Sequence, residues 1–68
     1  MTSGKTISEN IKKARAKLGL TQDDLAKKAD IKYTTLMKVE SGTVNKPSVQ
    51  TMAKIAKALG VSIEDLLK

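Results

Sequence analysis

Helix-start and helix-stop signals follow one another at short intervals along this chain, and they confine it to brief helices joined by tight turns. Thr6 followed by Glu9 forms a capping-box pattern, and Ile7, Ile11, Ala14 and Leu18 recur at helical spacing until Gly19. A first helix is therefore expected over about 7–18. Thr21 is the next N-cap candidate, Asp23 and Asp24 suit the positive end of a helix dipole, and Leu25, Ala26 and Ala29 form a buried stripe over about 22–29. Asp30-Ile31-Lys32 is long enough only for a tight link, with Ile31 plugging the corner. Tyr33 to Ser41 make a third helix, closed by Gly42. After a polar loop ending at Pro47, Ser48 caps a fourth helix whose wide apolar face is Val49, Met52, Ala53, Ile55, Ala56 and Leu59, stopped by Gly60. Ser62 with Asp65 caps a last short helix carrying Ile63, Leu66 and Leu67. Residues 1–5 read as a flexible N-terminal segment and 6–68 as one domain.

Sixty-eight residues lie near the lower limit for a core that holds without staples, and the chain has no cysteine and no histidine. Disulfides, thiolate metal sites and imidazole catalysis are excluded by inventory, and no cofactor or metal is expected. With Tyr33 as the only ring, the core must be aliphatic, which suits packed helices and gives an all-α fold. A formal charge of +6 favours polyanionic partners. No apolar run reaches the roughly 20 residues of a membrane span, and Met1 to Lys5 lack the apolar core of a signal peptide. A cytoplasmic chain is the expectation.

Two helices of about eight residues joined by a three-residue turn make a helix-turn-helix unit, whose second helix can enter the major groove of DNA. At roughly 100° per residue, Val39 and Glu40 fall beside Leu36, while Thr34, Met37, Lys38 and Ser41 gather on the opposite side. Helix propensity gives no reason for Thr34 and Thr35 to stand side by side. Groove contact supplies one: threonine can bond a base edge and offer its methyl to thymine, Lys38 can reach guanine, and Tyr33 can stack or hydrogen-bond at the rim.

The segments IKKARAKLGL (residues 11–20), TQDDLAKKA (21–29) and LMKVESG (36–42), with the stretch from Pro47 to Leu67, resemble the lambda-repressor/Cro, or Xre-like, helix-turn-helix family. The resemblance spans residues 7–67. It implies a five-helix repressor-like fold that binds double-stranded DNA and regulates transcription. It also implies that Gln22 binds a phosphate while bracing the third helix, that Tyr33, Thr34, Thr35 and Lys38 meet bases, and that Ser41, Thr43, Asn45 and Lys46 clamp the backbone. Thr21 and Lys32 complete the expected phosphate contacts, with Lys12 and Lys13 as further sources of charge. Arg15 and Glu40 align with a buried ion pair of the family. A carboxylate on the core edge of the third helix calls for such a guanidinium, held in bidentate fashion, and Arg15 is the only arginine. Two departures stand out: Asp30 sits where the family commonly has a left-handed glycine, and Tyr33 replaces a glutamine or serine, which questions the bond to Gln22.

A pseudo-palindromic operator bound by a homodimer follows from the family pattern, with Val61, Ile63, Leu66 and Leu67 as the expected subunit interface. A toxin or an anti-repressor is a further protein partner to weigh. Two rival readings are an antitoxin that also represses its own operon, and an interaction or RNA-associated module that keeps only the fold. An enzyme is the weakest reading, because the Asp23-Asp24 and Glu64-Asp65 pairs have ready explanations at helix starts.

Overall fold

The path of this chain is set largely at its helix ends. The computed structural model describes residues 4–42 and 47–68, which form α1 (Gly4–Leu18), α2 (Gln22–Ala29), α3 (Tyr33–Glu40), α4 (Val49–Leu59) and α5 (Ile63–Leu67). Helices α1, α2 and α4 each stop in the same way. Gly19, Asp30 and Gly60 take left-handed backbone with φ of 69°, 57° and 72°. The next amide then reaches back to close the helix: Leu20 N–H to Arg15 O, Ile31 N–H to Ala26 O, and Val61 N–H to Ala56 O, each at 3.0 Å. Leu20, Ile31 and Val61 are thereby turned onto the core, where all three are partly buried. A side chain at Gly19 or Gly60 would meet no atom within 4 Å, so these positions favour glycine for its φ alone. Asp30 holds the left-handed region with a side chain that tolerates it.

Three helix starts are closed by side chains. Thr21 accepts the Asp24 N–H while the Asp24 carboxylate accepts the Thr21 N–H, a full capping box. Ser62 and Asp65 repeat this at α5, and Ser48 accepts from Thr51 at α4. Helix α1 departs from expectation, because it begins at Gly4 and encloses Thr6 rather than starting from it. The Thr6 to Glu9 pattern therefore lies inside the helix.

Helix α1 packs between α3 and α5, while α2 packs between α3 and α4. The centre is aliphatic: Ile11, Leu25, Leu36 and Ile55 are fully buried, and Leu66 is 1% exposed. Two stripes shift from their expected register. In α1, Leu18, the last residue of the helix, is 51% exposed, whereas Ser8 is buried. In α4, Val49 and Ala53 are exposed and Ala58 is buried, because α2 covers that side; Ala29 and Ala58 line one shallow groove between the two helices. Among the described residues no helix is long and apolar enough to cross a membrane.

The two capping carboxylates make stability depend on acid. Hydrogen bonds, first from the Thr21 backbone, lower the pKa of Asp24 below its ordinary 3.8, and the Ser62 backbone does the same for Asp65. A carboxyl whose folded pKa is depressed contributes stability above its unfolded pKa and loses it as pH falls through the folded value. The paired substitution Asp24→Asn with Asp65→Asn is expected to lower stability at neutral pH. That deficit relative to the wild type should shrink from about pH 4 downward. Urea melts across this range check it, and a deficit independent of pH would show that the carboxylates are not the source.

Candidate nucleic-acid interface

Helix α3 is held by one edge and open on the other. Leu36, Val39 and Glu40 face inward, at 0%, 3% and 1% exposure. Tyr33, Thr34, Met37 and Lys38 are exposed, and Thr35 is half-buried at the margin. The outer side thus presents a phenol, a hydroxyl with its methyl, a thioether and an ammonium. Lys32 precedes the helix with no side-chain cap, leaving the first-turn amides of α3 without a capping acceptor. Ser41 follows the helix, exposed, with its hydroxyl donating to Lys38 O at 2.8 Å.

Glu40 organises the inner side. Its Oε1 accepts from Arg15 Nη2 at 3.1 Å and from Gln22 Nε2 at 3.3 Å. Arg15 Nη1 also donates to Leu20 O at 3.0 Å, so the guanidinium bridges the end of α1 to α3. Ser8 Oγ donates to the Glu40 carbonyl oxygen. Ser8 and Arg15 lie seven residues apart on one edge of α1, about 20° from each other around the helix. The opposite side of α1 carries Asn10, whose amide donates to Leu66 O and Lys68 O at 2.8 and 3.0 Å and closes the end of α5.

The ion pair is monodentate, not the bidentate fork expected from the sequence. Arg15 Nε and Glu40 Oε2 are both buried without a hydrogen-bond partner, because Gln22 and Arg15 converge on the same carboxylate oxygen. Tyr33 keeps the link to α2 that its departure from the family pattern questioned: its hydroxyl donates to Gln22 Oε1 at 3.2 Å. Four side chains on three helices thus form one chain of bonds, Tyr33 to Gln22 to Glu40 to Arg15.

The remaining expected contacts divide into groups. Thr21 lies exposed beside Gln22 at the start of α2, with its hydroxyl engaged by Asp24 in the capping box. Lys32 is exposed at the head of α3, and Lys12 and Lys13 are exposed on α1. Thr43, Asn45 and Lys46 lie outside the described residues. At the other end of the molecule, Leu66 is turned into the core and cannot serve as an intersubunit contact, which corrects that expectation. Val61 and Ile63 are partly buried against the core, and Leu67 is 38% exposed. Sequence reasoning missed Ser8, Asn10 and the Asp24 half of the capping box. Only the last had a legible signal, the Thr21-x-x-Asp24 spacing. Among the described residues no group of acidic or other metal-binding side chains could hold a metal ion.

Comparison with known proteins agrees with this architecture. A helix-turn-helix family model matches residues 11–66. An HTH-type transcriptional regulator of Archaeoglobus fulgidus is 43% identical over 56 residues, covering 82% of this chain and 79% of the relative. The crystal structure of the biofilm master regulator SinR in complex with DNA superposes with a TM-score of 0.86 at 32% identity, covering 91% of this chain and 98% of that one. Against the whole of Bacillus subtilis SinR, the matched region is 55% of the relative's length. The restriction-modification controller protein C.AhdI of Aeromonas hydrophila is similarly close in fold, with a TM-score of 0.85 at 25% identity, covering 93% of this chain and 94% of that one.

The buried pair is testable by a double-mutant cycle. Arg15→Met leaves a carboxylate buried without its cation, and Glu40→Leu leaves the guanidinium without its anion. Each single change is expected to cost about 3–5 kcal/mol. The double variant should lose clearly less than the sum, because it buries neither charge alone. Strictly additive losses in urea denaturation would mean that the two charges do not depend on each other.

Proposed function

Because this chain belongs to the helix-turn-helix family of transcriptional regulators, we propose that it regulates transcription by binding double-stranded DNA with α3 in the major groove. The observation that carries this reading is the outer edge of α3. Tyr33, Thr34, Met37 and Lys38 stand exposed together on a helix whose other edge is fixed by Leu36, Val39 and Glu40. Thr34 offers a hydroxyl and a methyl, Thr35 borders them, and Lys38 offers an ammonium for guanine O6 or N7. Gln22 and Thr21 at the start of α2, Lys32 at the uncapped start of α3 and Ser41 at its end flank this edge where phosphates would run. Thr43, Asn45 and Lys46 belong to the same clamp by their place in the sequence. The net charge of +6 supplies the counterion-release part of the affinity. The DNA held by SinR, whose fold this chain shares, supports the same choice of ligand. Repression would follow from occupying a promoter.

One α3 reads few base pairs, so the reading includes a homodimer on a pseudo-palindromic operator, with the two helices in grooves about 34–36 Å apart. With Leu66 committed to the core, the proposed subunit contact falls to the margin formed by exposed Leu67 and the partly buried Val61 and Ile63. Leu67→Lys is expected to shift sedimentation with operator DNA from two subunits per site toward one while leaving the fold intact. If two copies still bind each site with this variant, the α5 margin is not the contact.

The base-reading assignment has a separate test. Thr34→Ala and Lys38→Ala should each reduce discrimination between selected and random duplexes by about 1–3 kcal/mol. Lys32→Ala should weaken both duplexes alike and reduce the salt slope by about 1. Equal losses on both DNAs from all three variants would remove α3 from the role of reader.

A further inference from the structure

The bond chain that ends at Tyr33 has a direction, and it is set inside the protein. A carboxylate can only accept hydrogen bonds. Facing Glu40 Oε1 at 3.3 Å, Gln22 must therefore present its amide nitrogen, because the opposite orientation would set two acceptor oxygens against each other. That turns Gln22 Oε1 outward, where the Tyr33 hydroxyl lies at 3.2 Å. An amide oxygen also only accepts, so Tyr33 must donate its one proton to it. The phenolic oxygen is left with lone pairs alone toward solvent, on a side chain that is 46% exposed at the head of α3.

From this we infer that Tyr33 is a specificity-determining residue that reads an amino base, adenine or cytosine, on the strand it reaches. In the major groove the donors are adenine N6 and cytosine N4, whereas guanine and thymine present acceptors there. Phosphate oxygens also only accept, so the same polarity disfavours a backbone role for this hydroxyl. To bond a keto base, Tyr33 would have to withdraw its proton from Gln22 and leave that oxygen without its partner. Glu40 and Gln22 act as positioning residues: neither needs to touch the base, yet together they decide what Tyr33 can accept.

This inference rests on the proposal that α3 lies in the major groove, and the experiment separates the two. Duplexes are selected from a random pool by the wild-type protein, by Tyr33→Phe and by Gln22→Ala. The wild type is expected to enrich a defined site, and at the base pair whose preference depends on Tyr33, a duplex whose adenine or cytosine lacks its amino group should bind about two- to tenfold more weakly, the worth of one neutral hydrogen bond. Tyr33→Phe, an exposed change that removes only the hydroxyl, should abolish the preference at that position and leave the others. Gln22→Ala should weaken binding to every sequence and let the reversed base pair enter at the same position, because the phenol proton is then free to donate to a keto base. A Tyr33-dependent base pair at which removing the amino group leaves wild-type affinity unchanged, or a Tyr33→Phe selection identical to the wild type, overturns this inference alone. A wild-type protein that enriches no sequence overturns the groove reading and this inference with it.

Discussion

A carboxylate with 1% of its surface exposed is the most demanding group in this molecule. Removing it from water costs several kcal/mol unless partners replace the lost hydration. The partners it gathers are what join the helices. Arg15 comes from α1, Gln22 from the first turn of α2, and Ser8 from α1 onto the Glu40 carbonyl. Arg15 in turn holds the Leu20 carbonyl in the turn between α1 and α2. An aliphatic residue at position 40 could fill the same volume, but it would leave Gln22 without an orientation. The carboxylate therefore acts less as a source of stability than as a fixed point from which polar groups near the surface take their direction.

The second constraint is the shared geometry of three helix ends. In each, a left-handed residue is followed by an apolar one that the reversed chain presses onto the core: Leu20, Ile31 and Val61. The pattern fixes where α2, α3 and α5 begin relative to the helix before them. It matters most between α2 and α3, where Ile31 anchors one end of α3 and Glu40 anchors the other. A helix of eight residues pinned at both ends has little freedom to rotate, so the outer edge carrying Thr34 and Lys38 is a consequence of how the inner edge is fastened.

These ends were legible in the sequence because capping is local chemistry. Thr21, Ser48 and Ser62 announce helix starts, and Gly19 and Gly60 announce stops, through bonds that span only a few residues. Fold class, the helix-turn-helix and the exposed side of α3 followed from them. What was not legible depends on neighbours far away in sequence. Ala53 and Ala58 flank the apolar stripe of α4 at similar angles, and only the position of α2 decides that Ala58 is covered. Leu18 fits the stripe of α1 but is exposed as the last residue of the helix. Ser8 looks like an ordinary helix-surface hydroxyl until α3 is placed against it. At Thr6 a valid capping pattern lost to one more helical turn, since a box competes with simple extension of the helix when the preceding residues permit it. Leu66 was misassigned for the related reason that a short apolar helix does not reveal which of its leucines faces inward.

The placement of the single arginine has a further consequence for recognition. Arginine is the side chain best shaped to grip guanine, because its fork matches O6 and N7 together. Here it points inward, with 20% of its side chain exposed and its bonds made to Glu40 and Leu20. On the proposed groove reading, guanine recognition from α3 falls to Lys38, a point charge on a flexible stem that can satisfy one acceptor or a nearby phosphate equally well. Sharper discrimination, on the same proposal, comes from the side chains whose geometry the interior controls. Tyr33 and Thr34 occupy the first turn of α3, and Tyr33 is tied by way of Gln22 to the same carboxylate that holds the arginine. The arginine missing from the outer face of α3 is thus bonded to the same carboxylate that orients Tyr33 by way of Gln22.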